Sequence, residues 1–266
     1  MGDYMKKIAF MADVHANIDA LNLVLEDMER KNVDEIICLG DLVTKYFYPR
    51  EVVDAIKNNC SIVIRGNCDE FVAHDERYVF ARFELGLDNI DYLANLPFKH
   101  SMMINDKSVN LYHATPNSID DLFNPLFKGN YYSEYRDKII YDYKELFEDN
   151  QISIVGHTHQ SYIGIEEKGL LNTNNLETEL ADKRMIINVG SAGEHNYMVL
   201  TSKGVEPIID PYLTYIIIDD KAKIIKVPYK ETLKKVYIDM VNRQIDGTIP
   251  PSPKDTKKLI KSLKLM

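Results

Sequence analysis

Several features are scarce in this chain, and each scarcity excludes something. There are three cysteines, Cys38, Cys60 and Cys68, an odd number without paired zinc-type spacing. That excludes a disulfide framework and a thiolate zinc site. Cys38 and Cys60 lie in or beside apolar runs and read as core residues. No apolar run approaches the roughly 18 residues of a spanning helix, so no membrane partner is expected. The start, MGDYMKK, leads at once into a short strand without a signal-type apolar core, which predicts a cytoplasmic protein. A basic excess is also lacking: 32 Lys and Arg face 41 Asp and Glu, a formal charge of −9. This argues against stable nucleic-acid binding. An acidic chain can still act on a small phosphorylated substrate when bound metals supply local positive charge. Internal repeats and a clean domain boundary are absent too.

What remains is an ordinary globular composition, 266 residues at 45% hydrophobic and 27% charged, able to bury a core. Short apolar runs at 8–12, 35–39, 61–65, 109–112 and 152–155 read as strands. Asn17 can cap a helix over 18–30, with Leu21, Val24, Leu25 and Met28 at helical spacing. Pro49 suits the first turn before a helix at 51–58, with Val52, Val53 and Ile56 inward. This βαβαβ alternation predicts parallel strands with helical crossovers in an α/β fold. Residues 70–85 and 89–96 read as helices, the second closed by Pro97. Strands at 98–104 and 108–112 flank a turn at Asn105-Asp106-Lys107. A helix is expected near 138–148, and strands at 161–166 and 184–189 flank a polar loop, 167–183. A hairpin is expected over 215–219 and 223–227, then a helix at 231–243 and a solvated Lys-rich tail from 254 to 266.

The strand ends carry the chemistry. The first delivers Asp13 and His15, which on an extended segment would point to one side and reach one ion together. The second delivers Gly40-Asp41, the third Gly66-Asn67-Cys68-Asp69, the next His113, and the last Gly156-His157-Thr158-His159. Open α/β sheets bind ligands at the carboxyl ends of their strands. The glycines before Asp41, Asn67 and His157 let the backbone turn where a side chain must reach inward. Carboxylate, imidazole and amide ligands without thiolate suit Mn, Fe, Co, Ni or Zn. Seven such ligands with one shared carboxylate would fill two adjacent sites.

In this ordered set the sequence resembles the calcineurin-like metallophosphoesterases, through Asp13-x-His15, Gly40-Asp41, Gly66-Asn67-x-Asp69, His113 and Gly156-His157-x-His159. It is most similar to their compact bacterial and archaeal phosphodiesterase branch, through Leu39-Gly40-Asp41-Leu42-Val43, Tyr48-Pro49-Arg50-Glu51-Val52 and Asn188-Val189-Gly190-Ser191. The resemblance implies a β-sandwich of two mixed sheets flanked by helices. The resemblance runs from Ile8 to about Ser191; the chain as a whole reads as one domain over 1–266, with an aromatic-rich insertion at about 115–150 and a helical extension at about 229–266. The resemblance further implies a dinuclear centre, manganese first among the candidate ions. Asp13, His15 and His159 would hold one ion, Asn67, His113 and His157 the other, and Asp41 would bridge. Two ions roughly 3.5–4 Å apart would activate a bridging water for in-line attack on phosphorus. Asp41, Asn67 and Asp69 are then the catalytic candidates, with Asn67 also facing substrate. The substrate would be a phosphodiester or a nucleotide anhydride such as a dinucleoside polyphosphate. Phosphomonoesterase or protein phosphatase activity, or a non-catalytic metal-binding scaffold, is the alternative.

Some positions depart from the family pattern. The residue after Gly66-Asn67 is commonly histidine, thought to assist leaving-group protonation; here it is Cys68. A thiol with a reference pKa of about 8.5 is a poor substitute. Cys68 then either packs or biases the enzyme toward leaving groups that need little protonation. His74 and His195 are the imidazoles that could stand in, with surface and loop roles as the plainer readings. Lys45 or Arg50, directly after Asp41, could pair with an outer phosphate, and Tyr46 could stack on a base. Alternatively Arg50 is a helix-face charge and the aromatics pack. The aromatics Phe123, Phe127, Tyr131, Tyr132, Tyr135, Tyr141 and Tyr143 leave base selection, a small core or a homo-oligomer surface open.

Overall fold

The computed structural model describes residues 6–123, 125, 140, 142–167, 170–180, 182–194, 196–201, 204–209 and 211–229. The chain divides into a unit spanning Met1–Val227 and a second spanning Pro228–Met266. Nearly all of the second unit lies outside the described residues, including the helix expected at 231–243 and the Lys-rich tail.

The parallel start follows the sequence pattern. β1 (Ile8–Met11) pairs in parallel with β2 (Glu35–Cys38), and β2 with β3 (Ile62–Val63). The crossovers are α1 (Ile18–Arg30) and α2 (Pro49–Asn59). Asn17 caps α1 by accepting the Ala20 amide at 3.2 Å. Leu21, Val24 and Met28 make its buried face; each such side chain contributes roughly 1.5–3 kcal/mol. The first sheet is completed by β13 (Tyr212–Ile218), antiparallel to β1, then β14 (Lys221–Pro228) and β9 (Glu177–Glu179).

The second sheet runs β4 (Lys99–Ile104), β5 (Lys107–Tyr112), β6 (Ile152–Val155), β10 (Met185–Asn188), β7 (Tyr162–Glu167) and β8 (Leu170–Asn175). Its centre, β5-β6-β10, is parallel and its flanks antiparallel, so both sheets are mixed. Between them lies an aliphatic core. Ile8, Phe10, Ile37 and Ile216 come from one sheet, and Leu111, Ile152, Ile154 and Ile187 from the other. β11 (Asn196–Thr201) and β12 (Gly204–Ile209) form a separate antiparallel pair. No helix among the described residues is long and apolar enough to cross a membrane.

Three expectations need correction. The helical pair at 70–85 and 89–96 is instead α3 (Asn67–His74) and α4 (Val79–Ala94). The break comes at Asp75, whose extended backbone ends α3, and Gly86 only kinks α4 at φ 72°. The helix near 138–148 is one 3₁₀ turn, Tyr143–Leu146, capped by Asp142 and ended by extended Phe147. Residues 138, 139 and 141 lie outside the described set. The polar loop 167–183 contains β8 and β9. Both are edge strands, where the outer face meets water and polar residues cost nothing by exposure.

Candidate metal centre

Asp13, Asp41, Asn67, His113 and His157 each follow the carboxyl end of a parallel strand, from both sheets, so the two layers aim at one point. The sandwich brings the candidate ligands together in two groups. Asp13, His15 and His159 offer ligand atoms all within 4.8 Å of one another, as do Asp41, His113 and His157. His15 Nε2 lies 3.0 Å from His159 Nε2, and His113 Nε2 lies 3.1 Å from Asn67 Oδ1. Asp41 reaches toward both groups, at 3.8 Å from His15 Nε2 and 3.5 Å from His113 Nε2.

Local backbone, not strand alternation, produces this convergence. β1 ends at Met11, and Asp13 and His15 have φ of 58° and 52°. They share a site because left-handed turns redirect them, which corrects the extended-segment expectation. Asp41, His157 and His159 are left-handed as well, at φ 56°, 67° and 58°. Such residues cost roughly 1–2 kcal/mol each and persist where surrounding contacts over-determine them. The glycines also act differently than expected. Of the glycines before Asp41, Asn67 and His157, only Gly40, at φ 92°, uses the freedom of glycine to turn. Gly66 is extended and makes room: a Cβ there would sit 2.2 Å from Asp41 Oδ1.

Hydrogen bonds hold the turns. Asp69 is fully buried, and its carboxylate accepts the amides of Asp41 (2.8 Å), Leu42 (2.9 Å) and Gly66 (2.9 Å). It is thus placed to fix the Asp41 turn and the start of α3. Asp13 Oδ2 accepts the His157 amide at 3.0 Å, tying the β1 turn to the β6 turn across the two sheets. Asp41 Oδ1 accepts the Cys68 amide at 2.8 Å.

The electrostatics are those of an acid–imidazole cluster shielded from water. Burial pulls His15 down to about 4, with the Lys45 charge adding to it. His157 is likewise pulled to about 4, by burial and then by His113. Burial also opposes a charged His113, but the Asp41 carboxylate outweighs it and pushes this imidazole up to about 9. Burial raises the Asp41 carboxyl, yet the nearby His113 and His15 hold it well below the usual carboxylate range.

The donor set fits divalent ions. Two buried polar atoms, Asp13 Oδ1 and His157 Nε2, have no hydrogen-bond partner. Orphaned atoms inside a buried site cost about 1–3 kcal/mol each, and ions would satisfy them. One lies in each of the two groups.

The remaining candidates are placed unevenly. Cys68 comes within the site, its Sγ grouped within 4.8 Å of ligand atoms of His15 and Asp41. Burial, then the Asp41 charge, pushes its thiol well above the ordinary value. Lys45 forms an ion pair with Glu194 beside His15 and His159. Tyr46 donates its amide to the His15 carbonyl at 3.1 Å, which keeps it next to the site. Arg50 is not brought there: it donates to the Glu84 carbonyl at 2.6 Å, at the α4 kink. The bond joins α2 to α4. His74 ends α3 on its surface, 3.7 Å from Glu70, and His195 lies outside the described residues. Of the aromatic segment, Phe123 and Tyr143 pack with Tyr112 and Tyr162 in a small second cluster. Tyr141 and residues 127, 131, 132 and 135 lie outside the described set. Glu194 escaped the sequence reading; its only signal was an acid a few residues past a strand end.

Comparison with known proteins agrees with this fold. The model of the calcineurin-like phosphoesterase superfamily domain matches residues 5–203. An uncharacterised protein of Methanocaldococcus jannaschii is 28% identical over 250 residues, covering 90% of this chain and 93% of that one. The crystal structure of a metallophosphoesterase from Sphaerobacter thermophilus superposes with a TM-score of 0.67 at 22% identity, covering 98% and 99% of the two chains. A hypothetical protein from Pyrococcus horikoshii gives 0.66 at 20% identity, covering 97% and 98%. The chain belongs to the calcineurin-like phosphoesterase superfamily.

Proposed function

We propose that this protein is a metal-dependent hydrolase of phosphodiester or nucleotide phosphoanhydride bonds in a small phosphorylated substrate. The observation that carries this reading is the pair of orphaned buried atoms, Asp13 Oδ1 and His157 Nε2, one in each of two adjoining ligand groups. Asp13, His15 and His159 would hold one divalent ion, Asn67, His113 and His157 a second, and Asp41 both. Oxygen and imidazole donors of this kind suit Mn, Fe, Co, Ni or Zn, and manganese is the ion we propose. When bound, two such ions supply a strong water-derived nucleophile and offset charge on the phosphoryl oxygens.

The chain's own groups do the rest. Asp69 fixes the Asp41 turn through three amides, so the shared carboxylate stays aimed between the groups. Asn67 presents its oxygen to His113 and its Nδ2 toward Cys68 (3.9 Å), leaving the amide at the edge where substrate would meet the site. Lys45 and Tyr46 border the first group and would receive an outer phosphate and a base. Cys68 supplies no ready proton, so leaving groups that need little protonation are favoured, such as nucleotide or aryl oxyanions.

The test is a turnover screen of the purified chain with Mn, Fe, Co, Ni, Zn and Mg. Phosphodiesters, dinucleoside polyphosphates, mononucleotides and phosphopeptides are compared as substrates. Metal-dependent cleavage of the first two classes is expected. Preference for phosphopeptides would replace this reading with a protein phosphatase, and no turnover with full metal loading would leave a scaffold.

A further inference from the structure

The loop after β10 is fastened to the turn that carries Asp13 and His15. Ala192 donates to the Ala12 carbonyl at 2.9 Å, and the Ser191 hydroxyl and Gly193 amide donate to the Asp13 carbonyl at 2.8 and 3.1 Å. Asn17 Nδ2 donates to the Gly193 carbonyl at 2.7 Å, and the Glu194 amide to Ser191 Oγ at 2.7 Å. The approach is so close that a Cβ on Gly193 would fall 1.9 Å from the Val14 carbonyl oxygen. Only glycine fits there, and its successor is carried directly to the site.

That successor is Glu194. Its Oε2 lies 3.7 Å from His15 Nε2 and 3.5 Å from His159 Nδ1. Around His15 Nε2, Asp13 Oδ1 and Asp41 Oδ2 both stand at 3.8 Å and His159 Nε2 at 3.0 Å. Four donor atoms from four residues thus lie within 3.8 Å of this nitrogen. One of them, Asp13 Oδ1, is fully buried with no hydrogen-bond partner. A cation already rests on the Glu194 oxygen: the Lys45 ammonium. Resting on the dinuclear reading above, we infer that Glu194 is a further carboxylate ligand of the ion held by Asp13, His15 and His159. The ion would take over the position on Oε2 that Lys45 holds, and the released ammonium would be free for an outer phosphate of the substrate. A fifth donor, anionic and hard, also biases this half toward manganese or iron(II).

The test is equilibrium titration of the purified chain with Mn(II), following free ion by its magnetic-resonance signal. Wild type is expected to take up two equivalents. In E194Q one equivalent should bind more than about 100-fold more weakly, beyond the usual loss of an outer partner, while the other is unchanged. The glutamine keeps an oxygen that can accept from His159 Nδ1, so a carboxylate that merely orients that ring would cost no more than that outer-partner loss. K45M, which removes the competing ammonium, should tighten the same equivalent severalfold. Metal-free E194Q should melt with wild type; if that variant fails to fold, the K45M shift decides. Two equivalents in E194Q that stay within about 100-fold of wild type overturn the inference alone, as does an unchanged K45M titration where E194Q cannot be used. A wild-type chain that binds fewer than two overturns the dinuclear reading and the inference together.

Discussion

The two halves of the site are built by different means. In the half around His113, the backbone does the orienting. His113 is buried, and its Nδ1 donates to the Leu39 carbonyl at 2.7 Å, which leaves Nε2 facing Asn67 and Asp41. In the half around His15, the equivalent bond to the Val43 carbonyl is long, 3.4 Å, and His159 is partly exposed beside the Lys45–Glu194 pair. A ring locked by a short bond to backbone is pre-organised for metal. A ring held by neighbouring side chains can be altered from the loops. The His113 half is thus the rigid one, and the His15 half is where the loops after β2 and β10 act.

Several changes would break or sharpen this contrast. Asp41→Asn removes the carboxylate common to both halves and should have the largest effect. Metal content and turnover should fall together by at least about 100-fold, beyond the usual loss of an outer partner. Normal activity in that variant would dissolve the two-group assignment. Asp69→Asn replaces an acceptor of three amides with one that also carries donors. It should lower turnover roughly 10–100-fold and cost about 2 kcal/mol or more in denaturant unfolding. A change confined to stability, with metal affinity untouched, would separate Asp69 from the Asp41 turn.

The pH response separates the halves in another way. His113, pushed up to about 9, carries a proton at neutral pH in the metal-free chain, whereas His15 and His157, pulled to about 4, do not. Manganese uptake at pH 7.5 should therefore release close to one proton, from the rigid half. Calorimetry in buffers of different ionisation enthalpy reads this number. The sign for stability follows. The contribution of His113 is complete below its unfolded value of about 6.5 and fades as pH rises toward 9. His15 and His157 act oppositely and destabilise the metal-free chain as pH falls from about 6.5 toward 4. A metal-free chain whose melting temperature rises steadily from pH 6.5 to 9 would contradict the His113 assignment. The smallest effect belongs to Arg50→Ala. Losing its bond to Glu84 should cost about 1 kcal/mol and leave KM unchanged. A KM raised tenfold would return Arg50 to the substrate.

Much of the fold was readable in advance because short-range pattern controls it. Alternating apolar strands and capped amphipathic helices predicted β1 through β3 with their crossovers, and the β4–β5 hairpin with its turn at Asn105 and Asp106. The polar edge strands β8 and β9 were not readable, because pairing partners rather than composition make them strands. The 3₁₀ turn at Tyr143–Leu146 was missed for a related reason: an apolar periodicity says which residues pack, not whether a whole helix fits.

The same division runs through the site. By itself the sequence determined which acids and imidazoles stand at strand ends, since a ligand at a strand terminus needs only local order to be placed there. Tertiary structure decided how they meet. Asp13 and His15 converge through left-handed turns that neighbouring backbone holds in place. Asp69 is held by three amides that claim its oxygens. Arg50 is taken by α4. Glu194 reaches the Asp13 group only because the β10 loop is pinned across the gap between two sheets, by a Ser191–Asp13 bond spanning 178 residues of chain. Contacts of that range depend on how the layers pack, and no local pattern encodes them.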